Sequence, residues 1–342
     1  MKKFYFIFLL VILSHSSIFS QVTPVNSQAF FLDDSPIEVT LTTDVRNLRN
    51  GKSKPAYQAA HIVMKFSDTT TISEDIRLEP RGIYRRENCD MASLMLNFKN
   101  SAAPLLSPLK KLKLVGGCKN GSSYNQLLLK EYLVYKIQNI LSNMTFRVRL
   151  LHITYNDSRQ KMKPYTQYAF LMEDMNDLAA RNNCREIKKK IFLTEETNRN
   201  QMTFVNLFQY MIGNTDWSIY KYHNIKMMLP KNDTLARPYV VPYDYDFSGL
   251  VDADYAIPAE GLGIESVTQR LYRGFSRSYN ELQATIDFFN EKKESIFYLI
   301  NHFDLCDSKC KKQMIAYLDD FYKIISNKRQ VESIFIISAR TE

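Results

Sequence analysis

At 342 residues, 45% hydrophobic and 24% charged, the chain is no disordered tail or minimal scaffold and can bury the core of one large domain or two. Forty-five Lys and Arg against 36 Asp and Glu give a formal charge of +9, which favours anionic partners. The basic residues are spread, so nucleic acid is not expected, and with only 10 Gly the chain has no G-x-G-x-x-G loop to clasp phosphates.

Residues 1–20 read as a secretory signal peptide: Lys2 and Lys3 precede an apolar core at 4–13, and small residues around Ser17 and Ser20 offer a cleavage site. That core is far shorter than the roughly 20 residues a bilayer requires. No later stretch is more apolar, so no transmembrane segment is expected after signal removal. The product is expected to be exported: periplasmic, envelope-associated or secreted. Export makes Cys89, Cys118, Cys184, Cys306 and Cys310 disulfide candidates. Cys89 and Cys118 end apolar runs and Cys306 and Cys310 lie four apart, but spacing leaves the pairing open. Zinc is poorly supported, because there is no C-x-x-C and the histidines are scattered.

Residues 21–35 form a polar lead-in to a domain over 36–340. Alternating or β-rich runs predict strands at Ile37–Thr43, 61–66, 71–78, 94–98 and 109–115. A charged turn with Arg81, Arg85 and Arg86 interrupts them. A helix is predicted over 123–141, with Glu131 among apolar neighbours, then strands at 147–155 and Tyr165–Met172. Helices are predicted at 178–190, 202–212, 267–275, Tyr279–Asn301, 308–326 and 330–338, with a short hairpin inside 213–250. A strand-rich half carrying one helix, followed by a mainly helical half, is an α+β bilobal plan.

The chemistry concentrates in 213–250, which reads G-N-T-D-W, then H-N-I-K-M-M-L, then Y-V-V-P-Y-D-Y-D-F-S-G-L. Asp244 and Asp246 leave an apolar run two residues apart; such carboxylates repel unless a cation or hydrogen bonds offset them. Hard divalent cations take oxygen ligands of this kind. Upstream, Lys111 and Lys113 share one strand face, with Lys113 deeper in its apolar run. Glu131, if buried, requires a partner. Each residue also has a plainer reading: Asp216 as a turn residue or cap before Trp217, Asn224 as a strand terminator, Lys113 on a solvated face, His223 as a loop histidine. Arg270 and Arg273 suit ion-paired structure better than a substrate clamp.

The order R-G…R, K-L-K-L, K-E-Y-L on a helix, N-T-D-W…H-N-I-K and V-P-Y-D-Y-D-F-S-G resembles the spore-coat-protein-H (CotH) family of secreted atypical kinases, in an exported branch, over about 81–250. The resemblance implies a bilobal atypical protein-kinase-like fold, with an N-lobe about 36–173 and a C-lobe about 174–340. It implies ATP with Mg²⁺ or Mn²⁺ and phosphate transfer to Ser or Thr of exported proteins, the acceptor unidentified. By position it makes Asp216 the residue facing the acceptor hydroxyl, and Asn224 with Asp244 or Asp246 the metal ligands. Lys113 pairs with Glu131 and touches phosphate, Arg81 stands where a glycine loop is missing, and the linker 173–175, from Glu173, meets adenine through its backbone. One departure is the eight-residue step from Asp216 to Asn224, against five in ordinary protein kinases. Two other readings use the same residues: a non-catalytic envelope interaction module and a metal-dependent phosphoester hydrolase.

Overall fold

Burial alternates strictly along the first strand: Ile37, Val39 and Leu41 are buried while Glu38 is exposed, the pattern of a strand with one dry face. The computed structural model describes residues 27–50, 56–188, 193–233 and 235–341; the expected signal peptide at 1–20 and residues 21–26 of the lead-in lie outside the described residues. In chain order the first half comprises α1 (Ser27–Phe30), β1 (Ile37–Thr43), α2 (Val45–Asn50), β2 (Gln58–Lys65), β3 (Thr71–Arg81), α3 (Ile83–Asn88), β4 (Ser93–Asn97), β5 (Lys111–Gly116), α4 (Ser122–Leu141), β6 (Val148–Asp157) and β7 (Tyr165–Met172).

These seven strands close into a barrel in the order β1-β2-β3-β4-β5-β7-β6, with β6 returning to pair parallel with β1. The finding overturns the bilobal kinase-like architecture. The α+β class stands, but the strands form a closed mixed barrel, with nine α-helices among the described residues. The physical reason lies in β6, which uses both edges: Val148 to Tyr155 pair with β7 while Leu151 to Asp157 pair with β1. Alternation announces which side chains of a strand turn inward. It does not announce which strand pairs back on the first.

Ile37, Ile62, Leu78, Leu94, Leu112 and Leu171 help fill the barrel. On the outer face of β5, β6 and β7, Val115, Leu150 and Phe170 belong to a second core with Leu129 and Leu133 of α4. That outer face therefore carries the helical half: α5 (Met175–Arg181), β8 (Cys184–Ile187), α6 (Arg199–Ile212), β9 (Ile225–Pro230), β10 (Tyr239–Pro242), α7 (Tyr279–Asn301), α8 (Ser308–Ile325) and α9 (Lys328–Glu332). Strands β10-β9-β8 form a small separate sheet.

Several local expectations need correction. The helix predicted at 178–190 stops at Arg181, where Asn182 bonds back to the Leu178 carbonyl and Asn183 takes φ 53°; Cys184–Ile187 then pairs with β9. Its last two residues lie outside the described ones. No helix forms at 267–275. There the arginines serve other segments: Arg270 binds the Met211 and Tyr317 carbonyls and Arg273 those of Thr215 and Trp217. They anchor backbone instead of forming the expected ion pairs. The charged turn at Arg85 is the short helix α3.

Two ties bring the chemistry-bearing loops together. Gly213 ends α6 with φ 65°, and a Cβ there would collide with the Tyr317 hydroxyl. Gly249 N–H then donates to Gly213 O at 3.1 Å and Leu250 N–H to Ile212 O at 2.9 Å, drawing the segment after β10 against the end of α6. Cys89 and Cys118 form a disulfide joining the end of α3 to the turn after β5; Cys184, Cys306 and Cys310 are buried free thiols. No helix among the described residues is long and apolar enough to cross a membrane.

Candidate functional site

A cleft of about 590 Å³ opens where β3 and β5 meet α3, α4 and the loops around Asp216 and Asp244, lined among others by Arg81, Lys113, Asp216, Asn224, Asp244 and Asp246. Six of the eight residues singled out from sequence thus share one wall space. Glu131 stands just behind it, and Glu173 is not on its lining.

The D-Y-D segment is set by its middle residue. Tyr245 is fully buried, its hydroxyl 2.7 Å from both Gln138 Oε1 and the Pro242 carbonyl. With Tyr245 in the core, the flanking acids reach toward α4, and one carboxylate oxygen each from Glu131, Asp244 and Asp246 lies within 4.8 Å of the others. Asp244 adopts φ 68°, a left-handed conformation that Asp tolerates better than most residues, and its N–H donates to Tyr135 Oη at 2.9 Å.

Arg85 threads this acidic group. Its Nη2 lies 3.0 Å from Glu131 Oε2 and 2.9 Å from Asp246 Oδ2, and its Nη1 donates to the Gly116 carbonyl. Tyr255 donates to Asp246 Oδ2 at 3.2 Å. Burial opposes the guanidinium charge, but Asp246 and Glu131 outweigh it and hold Arg85 firmly ionised. One guanidinium bonded to two of three clustered carboxylates leaves the group short of positive charge. Burial raises Glu131 to about 8, countered by Arg85 and reinforced by Asp246. Burial, with Asp246 adding repulsion, raises Asp244 to about 6. Glu131 Oε1 is buried without a hydrogen-bond partner, an orphaned acceptor beside two other acids. This donor set, all carboxylate oxygen, fits a hard divalent cation.

The expected Lys113–Glu131 pair does not form, since Glu131 pairs with Arg85. Lys113 lies on the outer face of β5, its ammonium 4.7 Å from the Tyr243 ring centroid and, among the described residues, without an ion-pair partner. Burial lowers it to about 7, with Arg81 and then Lys226 adding repulsion. Arg81, at the end of β3, is lowered by burial and supported by Asp244. Two cations that form no salt bridge among the described residues therefore stand in the same cleft as the acidic group, with Asp244 the carboxylate that supports both.

Asp216 occupies the other side. His223 Nε2 lies 2.9 Å from its Oδ1, and Asn224 Nδ2 donates at 2.9 Å to both its carbonyl and its Oδ2. The hydrogen bond to Asp216 raises His223 above its usual value. Arg273 grips the carbonyls on either side of Asp216, fixing the loop. Asn224, expected as a metal ligand, commits its amide nitrogen to Asp216; Glu131, expected as a phosphate-side residue, joins the acidic cluster instead. The Glu173 side chain is structural: both its oxygens take Arg181, at 2.8 and 3.0 Å, and it accepts from Arg147 N–H at 3.0 Å, contacts that leave the expected backbone role of 173–175 unaffected. Arg85, Tyr135 and Tyr255 were not marked by sequence as site residues.

Comparison of the chain with protein-family models finds no match, and comparison with curated proteins finds none either.

Proposed function

We propose that this is an exported phosphotransferase that binds ATP with Mg²⁺ or Mn²⁺ in the cleft and transfers phosphate to a Ser or Thr hydroxyl of an exported protein. The carrying observation is the separation of charge within one cleft: Lys113 and Arg81, which form no salt bridge among the described residues, beside three carboxylates of which only Glu131 and Asp246 are bonded to Arg85. A polyphosphate with its divalent cation answers both deficits at once. The cleft volume lies within the roughly 300–1,000 Å³ of small-molecule sites. The resemblance of 213–250 to secreted atypical kinases supports the same chemistry, here on a barrel-and-helix fold. Export is supported by the signal at 1–20 and by the Cys89–Cys118 disulfide.

Glu131, Asp244 and Asp246 would hold the cation, which supplies charge neutralisation for the phosphates. Lys113 and Arg81 bind phosphate oxygens. Asp216 orients the acceptor hydroxyl and takes its proton as the hydroxyl oxygen bonds to the terminal phosphorus and the bond to the departing ADP oxygen breaks. His223 and Asn224 keep the Asp216 side chain in place.

The test is thermal denaturation with millimolar ATP, with and without Mn²⁺, followed by transfer of ³²P from ATP to envelope extract. Metal-dependent stabilisation with label transfer that Asp216→Asn abolishes is the expected outcome. No stabilisation by ATP and metal refutes the proposal. Stabilisation without transfer leaves a binding module, and metal-dependent phosphoester hydrolysis without transfer makes the protein a hydrolase.

A further inference from the structure

The loop that carries Asp216 has a second side. Residues Trp217 to Lys221, directly after Asp216, form one wall of a separate pocket of about 740 Å³, larger than the cleft. Phe275, Arg340 and Arg273, the last against the Trp217 ring, line it too. One carboxylate on the lining, Glu195, is already neutralised, at 2.8 Å from both Arg199 and Arg277.

The other cations are not. Arg273 spends Nη1 on the Thr215 and Trp217 carbonyls, and its remaining nitrogens have no protein partner among the described residues. Arg340 lies over the Phe275 ring at 5.5 Å and has no carboxylate partner among the described residues. Lys221 has none either. Arg273 and Arg340 are close enough to repel, Arg340 helping burial to lower Arg273. Arg340 and Lys221, with no carboxylate partner among the described residues, and Arg273, supported by Asp216 alone, gather beside Trp217 and Phe275, a lining suited to a carboxylate-bearing ligand with apolar character.

We propose that this pocket binds an acidic segment of the acceptor polypeptide, docking glutamate or aspartate side chains on Arg340 and Arg273 while the neighbouring hydroxyl reaches Asp216 on the far side of the same loop. The acceptor role rests on the phosphotransferase reading; the carboxylate site does not. Arg273 is a positioning residue as well, since it spans Asp216 through the two flanking carbonyls.

The sequence has one tryptophan, and it lies in this wall, so its fluorescence reports occupancy directly and without ATP. The full chain is titrated with a serine peptide flanked by glutamates and a phenylalanine, with its lysine counterpart, and with free glutarate. The acidic peptide is expected to change Trp217 emission saturably, the lysine peptide not at all, and glutarate at least about tenfold more weakly. Arg340→Gln, at an exposed side chain outside the cleft, should weaken the acidic peptide about tenfold, the size of one lost charged hydrogen bond. ATP stabilisation should survive that change. No saturable change, equal response to the lysine peptide, or an Arg340→Gln variant of unchanged affinity overturns the carboxylate site. Glutarate binding as tightly as the peptide overturns the polypeptide part. A positive fluorescence result with no ³²P transfer sinks the phosphotransferase reading and leaves the site standing.

Discussion

Asn224 donates through a single nitrogen to both the backbone carbonyl and the side-chain oxygen of Asp216, each at 2.9 Å. The eight-residue step between them is therefore a closed loop, with Ser218 and His223 bridged inside it and Asn224 at φ 50°. Asn224→Gly keeps the left-handed backbone and removes the tether. The variant should lose about 1 kcal/mol of stability or less, because Gly accepts this φ. Phosphoryl transfer should fall on the order of 10²-fold, as misplacement of a reacting group does. Parallel urea denaturation and ³²P assays check this; unchanged transfer would show that Asp216 needs no tether.

The acidic cluster gives a prediction with a definite sign. Asp244 is raised from 3.8 to about 6, so its contribution to stability is present below 3.8 and lost as pH rises through 6. Asp244→Asn removes that loss. At pH 8 without metal it should be more stable than the parent, on the order of 1–2 kcal/mol. Mn²⁺ should stabilise the parent more at pH 8 than at pH 5, where protons compete for Glu131 and Asp244, and should not stabilise the variant. Melting curves at both pH values decide it. Asp246 is a poorer choice for this test, since its loss strips a buried partner from Arg85.

What the sequence disclosed and withheld follows from the range of the forces involved. Alternation in Ile37–Thr43 and Tyr165–Met172 is local and marked those strands; pairing between β6 and β1 joins residues more than a hundred apart and left no local trace. Asp244 and Asp246 stood out because two acids leaving an apolar run lack a cheap explanation. Arg85 did not, because a charged run R-G-I-Y-R-R looks like solvated surface until α3 folds it inward. Glu131, an acid among apolar neighbours, requires a buried partner, and that partner is the α3 arginine where the resemblance implies a strand lysine.

Lys113 is lowered from 10.5 to about 7 by burial and by Arg81. Between those values the unfolded chain binds the extra proton, so stability should rise with pH from 7 to 10 and Lys113→Met should flatten the slope. At pH 7 the variant should be as stable as the parent or more so, by on the order of 2 kcal/mol. Its affinity for ATP should nonetheless fall about tenfold. At pH 8, ATP binding to the parent should take up protons, which calorimetry in buffers of different ionisation enthalpy measures. A variant that is less stable yet binds ATP normally would make Lys113 a structural residue.

His223 titrates the other way. Its value is raised above 6.5 by Asp216, so the contact is in full force below pH 6.5 and is lost as pH rises through the folded value. The pair is about half exposed, and the effect should be small. His223→Asn should remove the decline in melting temperature over that window. NMR titration of the imidazole gives the folded value directly, and an unraised value would contradict the contact.

The Cys89–Cys118 bridge acts on the site through Arg85. Helix α3 has six residues, far below the 12–15 at which an isolated helix becomes even marginal, so it depends on its anchors. One anchor is the disulfide after Asn88. The other is Arg85, bound to the carbonyl of Gly116 two residues before Cys118. Cys118→Ser should cost about 3–4 kcal/mol, as expected for a bridge closing 29 residues. Loosening α3 also loosens the guanidinium that neutralises Glu131 and Asp246, so a divalent cation has more repulsion to relieve. The melting temperature of the Cys118→Ser protein should therefore rise further on adding Mn²⁺ than that of the parent does. An equal rise in the two proteins would separate the bridge from the acidic cluster and confine it to holding the end of α3.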